Sequence, residues 1–270
     1  MKITVNGESV TTSKATLFEL RDWLYSSPKT EILSILGGFQ AGEDMLLSEG
    51  CEVIFIEKGI MPKPELLERM IAARHTPGIY EKIKNAKVAV AGLGGLGSNI
   101  AIQLARTGVG NLHLVDFDIV EPSNLNRQQY RISHLGKAKA EALEEEIAEI
   151  NPFVKVKSEV LRVTDENAAQ LFGGEQIVCE AFDNPEAKAM LVNTILEKCP
   201  DITIVAASGM AGYGSGNKIV TRRAGERLYL CGDGSTAAQE GMGLMSPRVS
   251  ICAGHQANMV LRLILGESAV

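Results

Sequence analysis

The sequence predicts an α/β protein in which a doubly wound, mostly parallel sheet follows a small β-rich unit. Three observations predict it. From residue 85 onward, apolar runs of strand length alternate with helix-length amphipathic runs. A glycine cluster, Gly92, Gly94, Gly95 and Gly97, falls where the first of those strands turns into its helix. Before residue 60 the pattern differs, with period-two alternation, a hairpin signal and one short helix.

The first region reads in order. Lys2–Val5 alternates, Asn6-Gly7 is a strong tight-turn signal, and a second strand follows near Ser9–Thr12. Thr16 can cap a helix through Trp23, with Leu17, Leu20 and Leu24 on one face. Ile32–Leu36 and Glu52–Ile56 read as further strands, separated by glycine-rich turns. Strand, hairpin, helix, strand, strand within residues 1–58 describes a β-grasp fold. Lys58-Gly59-Ile60-Met61-Pro62-Lys63-Pro64 interrupts both periods and predicts a boundary. A helix from Pro64 or Glu65 to about Arg74 stops at Thr76-Pro77-Gly78, and a shorter one runs to Asn85. The expected organisation is a β-grasp domain at 1–58, a linker with helices at 59–84 and a larger domain at 85–270.

That larger domain alternates strand and helix throughout. Strands are expected at Lys87–Ala91, Asn111–Asp116, Val154–Val160, Gln176–Glu180 and Ile202–Ala207. Helices are expected at Ser98–Thr107, Lys137–Ile150, Glu166–Leu171 and Pro185–Lys198. This order is the signature of a Rossmann-like, doubly wound parallel sheet.

Composition narrows the function. The 270 residues are 45% hydrophobic and 22% charged, as in ordinary globular proteins. No apolar stretch reaches the ~20 residues that span a bilayer. The opening residues lack the apolar core of a signal peptide, so a cytoplasmic address and no membrane partner are expected. A net charge of −6 argues against general nucleic-acid binding. The five cysteines form no Cys-x-x-Cys pair and no disulfide framework, and are expected to be small buried apolar residues.

The glycine turn carries the chemistry. Gly92-Leu93-Gly94-Gly95-Leu96-Gly97 follows a strand and opens a helix, where glycines let the main chain approach a phosphate and helix N–H groups receive it. Asp116 ends the next strand, placed to accept from ribose hydroxyls. This much fits a mononucleotide or a dinucleotide, and the same glycines also allow close helix–strand packing. Arg127 and Lys139 follow beyond the second strand, and could serve the extra charge of a triphosphate under attack by a carboxylate. Asp183 falls just past another strand, at the ligand edge of the sheet, and suits a Mg²⁺ ligand. Each also has a plain reading, as surface ion pairs for Arg127 and Lys139 and a helix N-cap for Asp183.

The run Val88–Gln128 resembles the ThiF/MoeB family, the bacterial relatives of ubiquitin-activating enzymes. The matching pieces are the Gly-Leu-Gly-Gly-Leu-Gly-Ser loop at 92–98, Gly108-Val109-Gly110, Asp116-Phe117-Asp118 and Asn124-Leu125-Asn126-Arg127-Gln128, then Lys139, Ile150-Asn151-Pro152 and Asp183-Asn184. The resemblance covers about residues 75–265. It implies ATP as substrate, Mg²⁺ as cofactor, a homodimer, and adenylation of the terminal glycine of a ubiquitin-like sulfur carrier ending in Gly-Gly. By that resemblance Asp116 would hold ribose, Asn124, Arg127 and Lys139 the phosphates, and Asp183 the metal. Gly92, Gly94, Gly95, Leu96, Gly97 and Asp118 complete the implied nucleotide site. An arginine ahead of the first strand would reach the partner subunit's ATP, with Arg74 the candidate and Arg69 the alternative.

The first region in turn resembles ThiS-like sulfur carriers, through Lys2–Asn6, Thr16-Leu17-Phe18-Glu19-Leu20 and Gly50-Cys51-Glu52-Val53-Ile54. Carriers end in a free Gly-Gly; here Glu57-Lys58-Gly59-Ile60 continues the chain and Gly37-Gly38 is internal. A degenerate carrier fused to its activator is expected, which favours thiazole formation in thiamine biosynthesis. Carriers for molybdopterin, cysteine or tRNA thiolation are the alternatives, and the sulfur donor is not named. Family zinc sites use two Cys-x-x-Cys pairs, and Cys231 keeps at most one of those ligands, so zinc is not expected. Gln239-Glu240-Gly241 occupies the stretch where some relatives carry a reactive cysteine, and Cys252 falls in a helix as core. An NAD-dependent oxidoreductase and a non-catalytic nucleotide-binding module are the rival classes.

Overall fold

The computed structural model describes residues 1–28 and 30–270. The chain divides into two compact units, Met1–Glu81 and Lys82–Val270. No helix among the described residues is long and apolar enough to cross a membrane.

The first unit is a five-stranded mixed sheet with strand order β2-β1-β5-β3-β4. Its strands are β1 (Lys2–Val5), β2 (Glu8–Thr11), β3 (Ile32–Leu36), β4 (Phe39–Gln40) and β5 (Glu52–Glu57). Asn6 and Gly7 take φ values of 48° and 84°, the two positive-φ positions of a tight hairpin turn. Thr16 caps α1 (Leu17–Leu24) by accepting the Glu19 N–H. Strand periodicity divides β5 between two cores. Val53 and Phe55 pack with Ile3, Val5, Leu17 and Leu20 on the α1 side, while Ile54 faces Ile35 and Ala73, with Ile56 and Met70 against them. Met70 belongs to α2 (Pro64–Ile71), which tightens into a 3₁₀ turn at Ala72–Arg74. One expectation fails: Leu24 is 40% exposed, because the helix ends at that residue, past the core it covers. The short β4 was not expected from sequence.

Helix α3 (Tyr80–Lys84) leads into the second unit. Its strands are β6 (Lys87–Ala91), β7 (Asn111–Val115), β8 (Lys155–Glu159), β9 (Ile177–Glu180), β10 (Thr203–Ala207), β11 (Val220–Arg223) and β12 (Leu228–Gly232). They form one sheet in the order β11-β12-β10-β9-β6-β7-β8. All neighbours are parallel except β11 and β12. The helices are α4 (Gly95–Thr107), α5 (Lys139–Ile150), α6 (Ala168–Phe172), α7 (Pro185–Lys198) and α8 (Ser246–Ile264). Central strands β6, β9 and β10 are buried along nearly their whole length, which is why they read as continuous apolar runs.

The chain leaves β6 for β7 and β8 on one side, then returns to β9 on the other. That reversal opens a crevice at the carboxyl ends of β6 and β9, the place where open α/β sheets bind ligands. Two sequence expectations shift here. Helix α4 begins at Gly95 and not Ser98, so part of the glycine run is already helical. The β11–β12 hairpin was not expected, because the exposed edge strand Val-Thr-Arg-Arg has no apolar alternation.

Candidate functional site

A cavity of about 630 Å³ fills the crevice. Gly92, Gly94, Gly95, Leu96, Asp116, Asp118, Asn124, Arg127, Lys139 and Asp183 all line it. Two predicted site residues do not. Gly97 is buried in the helix–strand contact, where an added Cβ would lie 1.8 Å from the Gly92 carbonyl oxygen. Arg74 belongs to the first unit, where its Nη1 donates to Gln40 Oε1 at 3.3 Å. Arg69, the alternative, lies in the same unit, its guanidinium over Gly7.

The glycines thus divide their work. Gly92 has φ 86°, and a Cβ there would meet the Phe182 ring at 2.8 Å, so turn and packing both require it. Gly94 faces open space, with Gln128 Nε2 the nearest atom to an added Cβ at 3.9 Å. Gly94 is the N-cap of α4 and supplies no side chain, which leaves the first-turn N–H groups for a ligand.

Asp116 ties this loop to the sheet. It is 8% exposed, and its Oδ2 accepts the Leu93 N–H at 2.6 Å while Oδ1 accepts the Asp118 N–H at 2.8 Å. Tyr130 anchors the same loop from the other side, its hydroxyl donating to the Leu93 carbonyl at 2.8 Å and lying 3.5 Å from the Lys139 carbonyl. Burial, with the Asp116 charge adding to it, pushes the Tyr130 phenol far up, so it stays a donor. Lys139 opens α5 and places Nζ 3.1 Å from Asp118 Oδ2. Lys139 thus makes the ion pair of its plain reading, but as a nearly buried side chain, 7% exposed, that lines the cavity.

Arg127 is delivered by a network. Asn124 Oδ1 accepts the Glu121 N–H at 3.1 Å, and its carbonyl accepts from Arg127 N and Gln128 N at 3.1 and 2.9 Å. Asn99 Nδ2, from α4, donates to the Arg127 carbonyl at 3.0 Å and to the Gly95 carbonyl at 2.7 Å. Arg127 Nη1 donates to the Ser123 carbonyl and to Asn126 Oδ1. Two atoms at this wall are buried without a hydrogen-bond partner among the described residues: Arg127 Nε and Gln128 Oε1. A buried unpaired donor and acceptor are costly.

Asp183 is exposed and also lines the cavity, on the turn after β9. The N-cap of α7 is its neighbour Asn184, whose Oδ1 accepts the Ala187 N–H at 2.8 Å. The capping reading of Asp183 is therefore corrected, and its carboxylate is left to the cavity. Among the described residues no group of three or more His, Cys, Asp or Glu side chains could hold a metal ion. The apolar part of the lining includes Phe117, Ile119, Leu161 and Val163. Arg162 stacks there over the Phe117 ring, 3.8 Å from its centroid. Sequence reasoning missed Asn99, Gln128, Tyr130, Leu161, Arg162 and Val163 as site residues. Only Gln128 carried a signal, as the end of the Asn-Leu-Asn-Arg-Gln run.

Comparison with known proteins agrees with this geometry. Residues 1–59 match the ThiS-like ubiquitin model. The Saccharomyces cerevisiae protein named adenylyltransferase and sulfurtransferase UBA4 is 32% identical over 208 residues, 73% of this chain and 46% of that one. The chain thus spans about half the length of the yeast relatives it matches. The Salmonella typhimurium molybdopterin-synthase adenylyltransferase is 32% identical over 191 residues, covering 68% of this chain and 75% of that one. Among solved structures, E. coli tRNA N6-threonylcarbamoyladenosine dehydratase in complex with ATP shares the fold, with a TM-score of 0.68 over 77% of this chain and 97% of that one at 23% identity. Residues 67–270, which include every wall of the cavity, match the ThiF family model, and the chain belongs to the ThiF family.

Proposed function

We propose that this protein uses ATP to adenylate the C-terminal carboxylate of a ubiquitin-like sulfur carrier. One observation carries the reading: Arg127, Lys139 and Asp183 share a single cavity with the glycine turn. A triphosphate approached by a carboxylate concentrates negative charge that two cations can neutralise. Named adenylyltransferases among the relatives support the same reaction class.

In this reading the triphosphate lies on the α4 N-terminus, and the base packs against apolar lining residues such as Leu161 and Val163. Asp116 already accepts two backbone N–H groups, so it holds the loop, and the half-exposed Asp118 is the better acceptor for a ribose hydroxyl. The carrier carboxylate is ionised at neutral pH and needs no general base to attack the α-phosphate, with pyrophosphate leaving. Arg127 and Lys139 orient and neutralise the phosphates. Asp183 would hold Mg²⁺ through one carboxylate, leaving the remaining coordination to phosphate oxygens and water, as this ion prefers, and the ion would add positive charge beside the phosphates. A relay through a thiol of the second unit is disfavoured: Cys179, Cys199, Cys231 and Cys252 are buried, and burial pushes the Cys231 thiol up to about 11 and the Cys252 thiol up to about 12.

The ThiS-like unit favours a carrier for thiazole formation. ATP–pyrophosphate exchange with a panel of purified Gly-Gly-ending carriers tests both levels. Exchange with the thiazole carrier alone supports the full reading, and exchange with a different carrier corrects the pathway. No exchange with any carrier removes the function.

A further inference from the structure

The turn that carries Asp183 is held from beneath by an ion pair that the proposed chemistry does not use. Glu180, the last residue of β9, is fully buried. Its Oε1 accepts the Phe182 N–H at 2.7 Å. Lys188, one helical turn into α7, places Nζ 2.9 Å from Glu180 Oε1 and 2.7 Å from Oε2. The same ammonium donates to the Phe182 carbonyl at 3.0 Å. The N–H and the carbonyl of Phe182 are therefore both tied to one charged pair.

Two further contacts restrict the turn. Gln256 Nε2, from α8, donates to the carbonyls of Glu180 and Val205, at 3.1 Å each, and so joins β9 to β10 under it. On the other side the turn abuts the glycine loop, where a Cβ at Gly92 would lie 3.0 Å from the Ala181 carbonyl oxygen. Movement of Phe182 away from the pair breaks its two hydrogen bonds to it, and the close approach of Ala181 and Phe182 to Gly92 limits movement toward the glycine loop. Well-packed apolar residues would fill this space without the desolvation that an ammonium–carboxylate pair incurs. A pair retained directly behind a ligand-facing carboxylate points to orientation of that carboxylate.

We propose that Glu180 and Lys188 are positioning residues, which fix the main chain at Phe182 so that Asp183 is presented to the divalent cation of the bound nucleotide. This rests on the ATP reading above. The test is calorimetric binding of α,β-methylene-ATP to the full chain, in EDTA and in Mg²⁺. The native protein binds in both conditions and more tightly with Mg²⁺. Lys188→Met keeps the EDTA affinity within about twofold and loses about tenfold in the Mg²⁺ affinity, the scale for removing a group that orients a metal ligand. Lys188→Arg restores it. Equal weakening in both conditions, or an unchanged Mg²⁺ affinity in a folded Lys188→Met, overturns the proposal. Should Lys188→Met fail to fold, Glu180→Gln keeps an acceptor for the Phe182 N–H and must show the same Mg²⁺-selective loss. A native chain that binds no nucleotide defeats the ATP reading itself. Equal binding with and without Mg²⁺ defeats only the positioning role.

Discussion

Lys139 Nζ lies 3.1 Å from Asp118 Oδ2, and the Lys139 N–H donates to the Asp118 carbonyl at 2.9 Å, so side chain and main chain lock the same two residues together. The lock holds a nearly buried ammonium at the cavity wall. Lys139→Ala is expected to lower carrier-dependent ATP–pyrophosphate exchange by roughly 10²-fold or more, the scale for losing one preorganised electrostatic group. Circular dichroism should show an intact fold. A full exchange rate in that variant would remove Lys139 from the phosphate site.

Gly94 lines the cavity and faces open space, whereas Gly97 is needed for packing. Gly94→Ala places a methyl in open space at φ −73°, so its thermal melting should match the native protein while nucleotide binding weakens. Gly97→Ala drives a methyl into the Gly92 carbonyl and should destabilise by about 3 kcal/mol or more in urea unfolding. Equal stability losses in the two variants would show that the glycines serve one purpose.

Tyr130→Phe removes the donor to the Leu93 carbonyl, whose residue is fully buried. The unsatisfied carbonyl should cost about 1–3 kcal/mol. Because the same bond anchors the glycine loop, ATP affinity should fall as well. Denaturant unfolding and nucleotide titration on the same variant check both effects, and a change in neither would make the hydroxyl dispensable.

Asp233 and Arg248 form a buried ion pair between the loop after β12 and the start of α8. Burial pushes the Asp233 carboxyl up, but hydrogen bonds from Thr236 and Ser235 outweigh it and hold the group far below the usual carboxylate range. A depressed folded-state value contributes stability above the unfolded value, near pH 4, and that contribution fades as acid titrates the folded group. Asp233→Asn strands Arg248 and should cost about 3–5 kcal/mol at pH 7. The difference between native and variant stability should shrink steadily below pH 4. A difference independent of pH would show that the aspartate charge is not what stabilises this loop.

How much was legible in the sequence depended on distance along the chain. Asn6-Gly7, the Thr16 cap and the strand–glycine–helix passage at 87–107 each declare themselves within a few residues, because turn geometry, capping and period are local. The β11–β12 hairpin did not, since an exposed edge strand needs no apolar alternation and is identified only by its partner. Asp116 shows the same limit at the site. Its place after the second strand was readable, but its saturation by the Leu93 and Asp118 N–H groups was not.

The amino-acid order by itself determined the ThiS-like first region, the doubly wound sheet and the glycine turn that opens α4. Tertiary structure decided which of the candidate site residues share a cavity, that Gly97 packs while Gly94 faces open space, that Asn184 and not Asp183 caps α7, and that Tyr130 and Lys188 hydrogen-bond the main chain of the loops at Leu93 and Phe182. The division is physical: periods and turns follow from neighbouring dihedrals, whereas burial and long-range hydrogen bonds exist only once distant segments have packed.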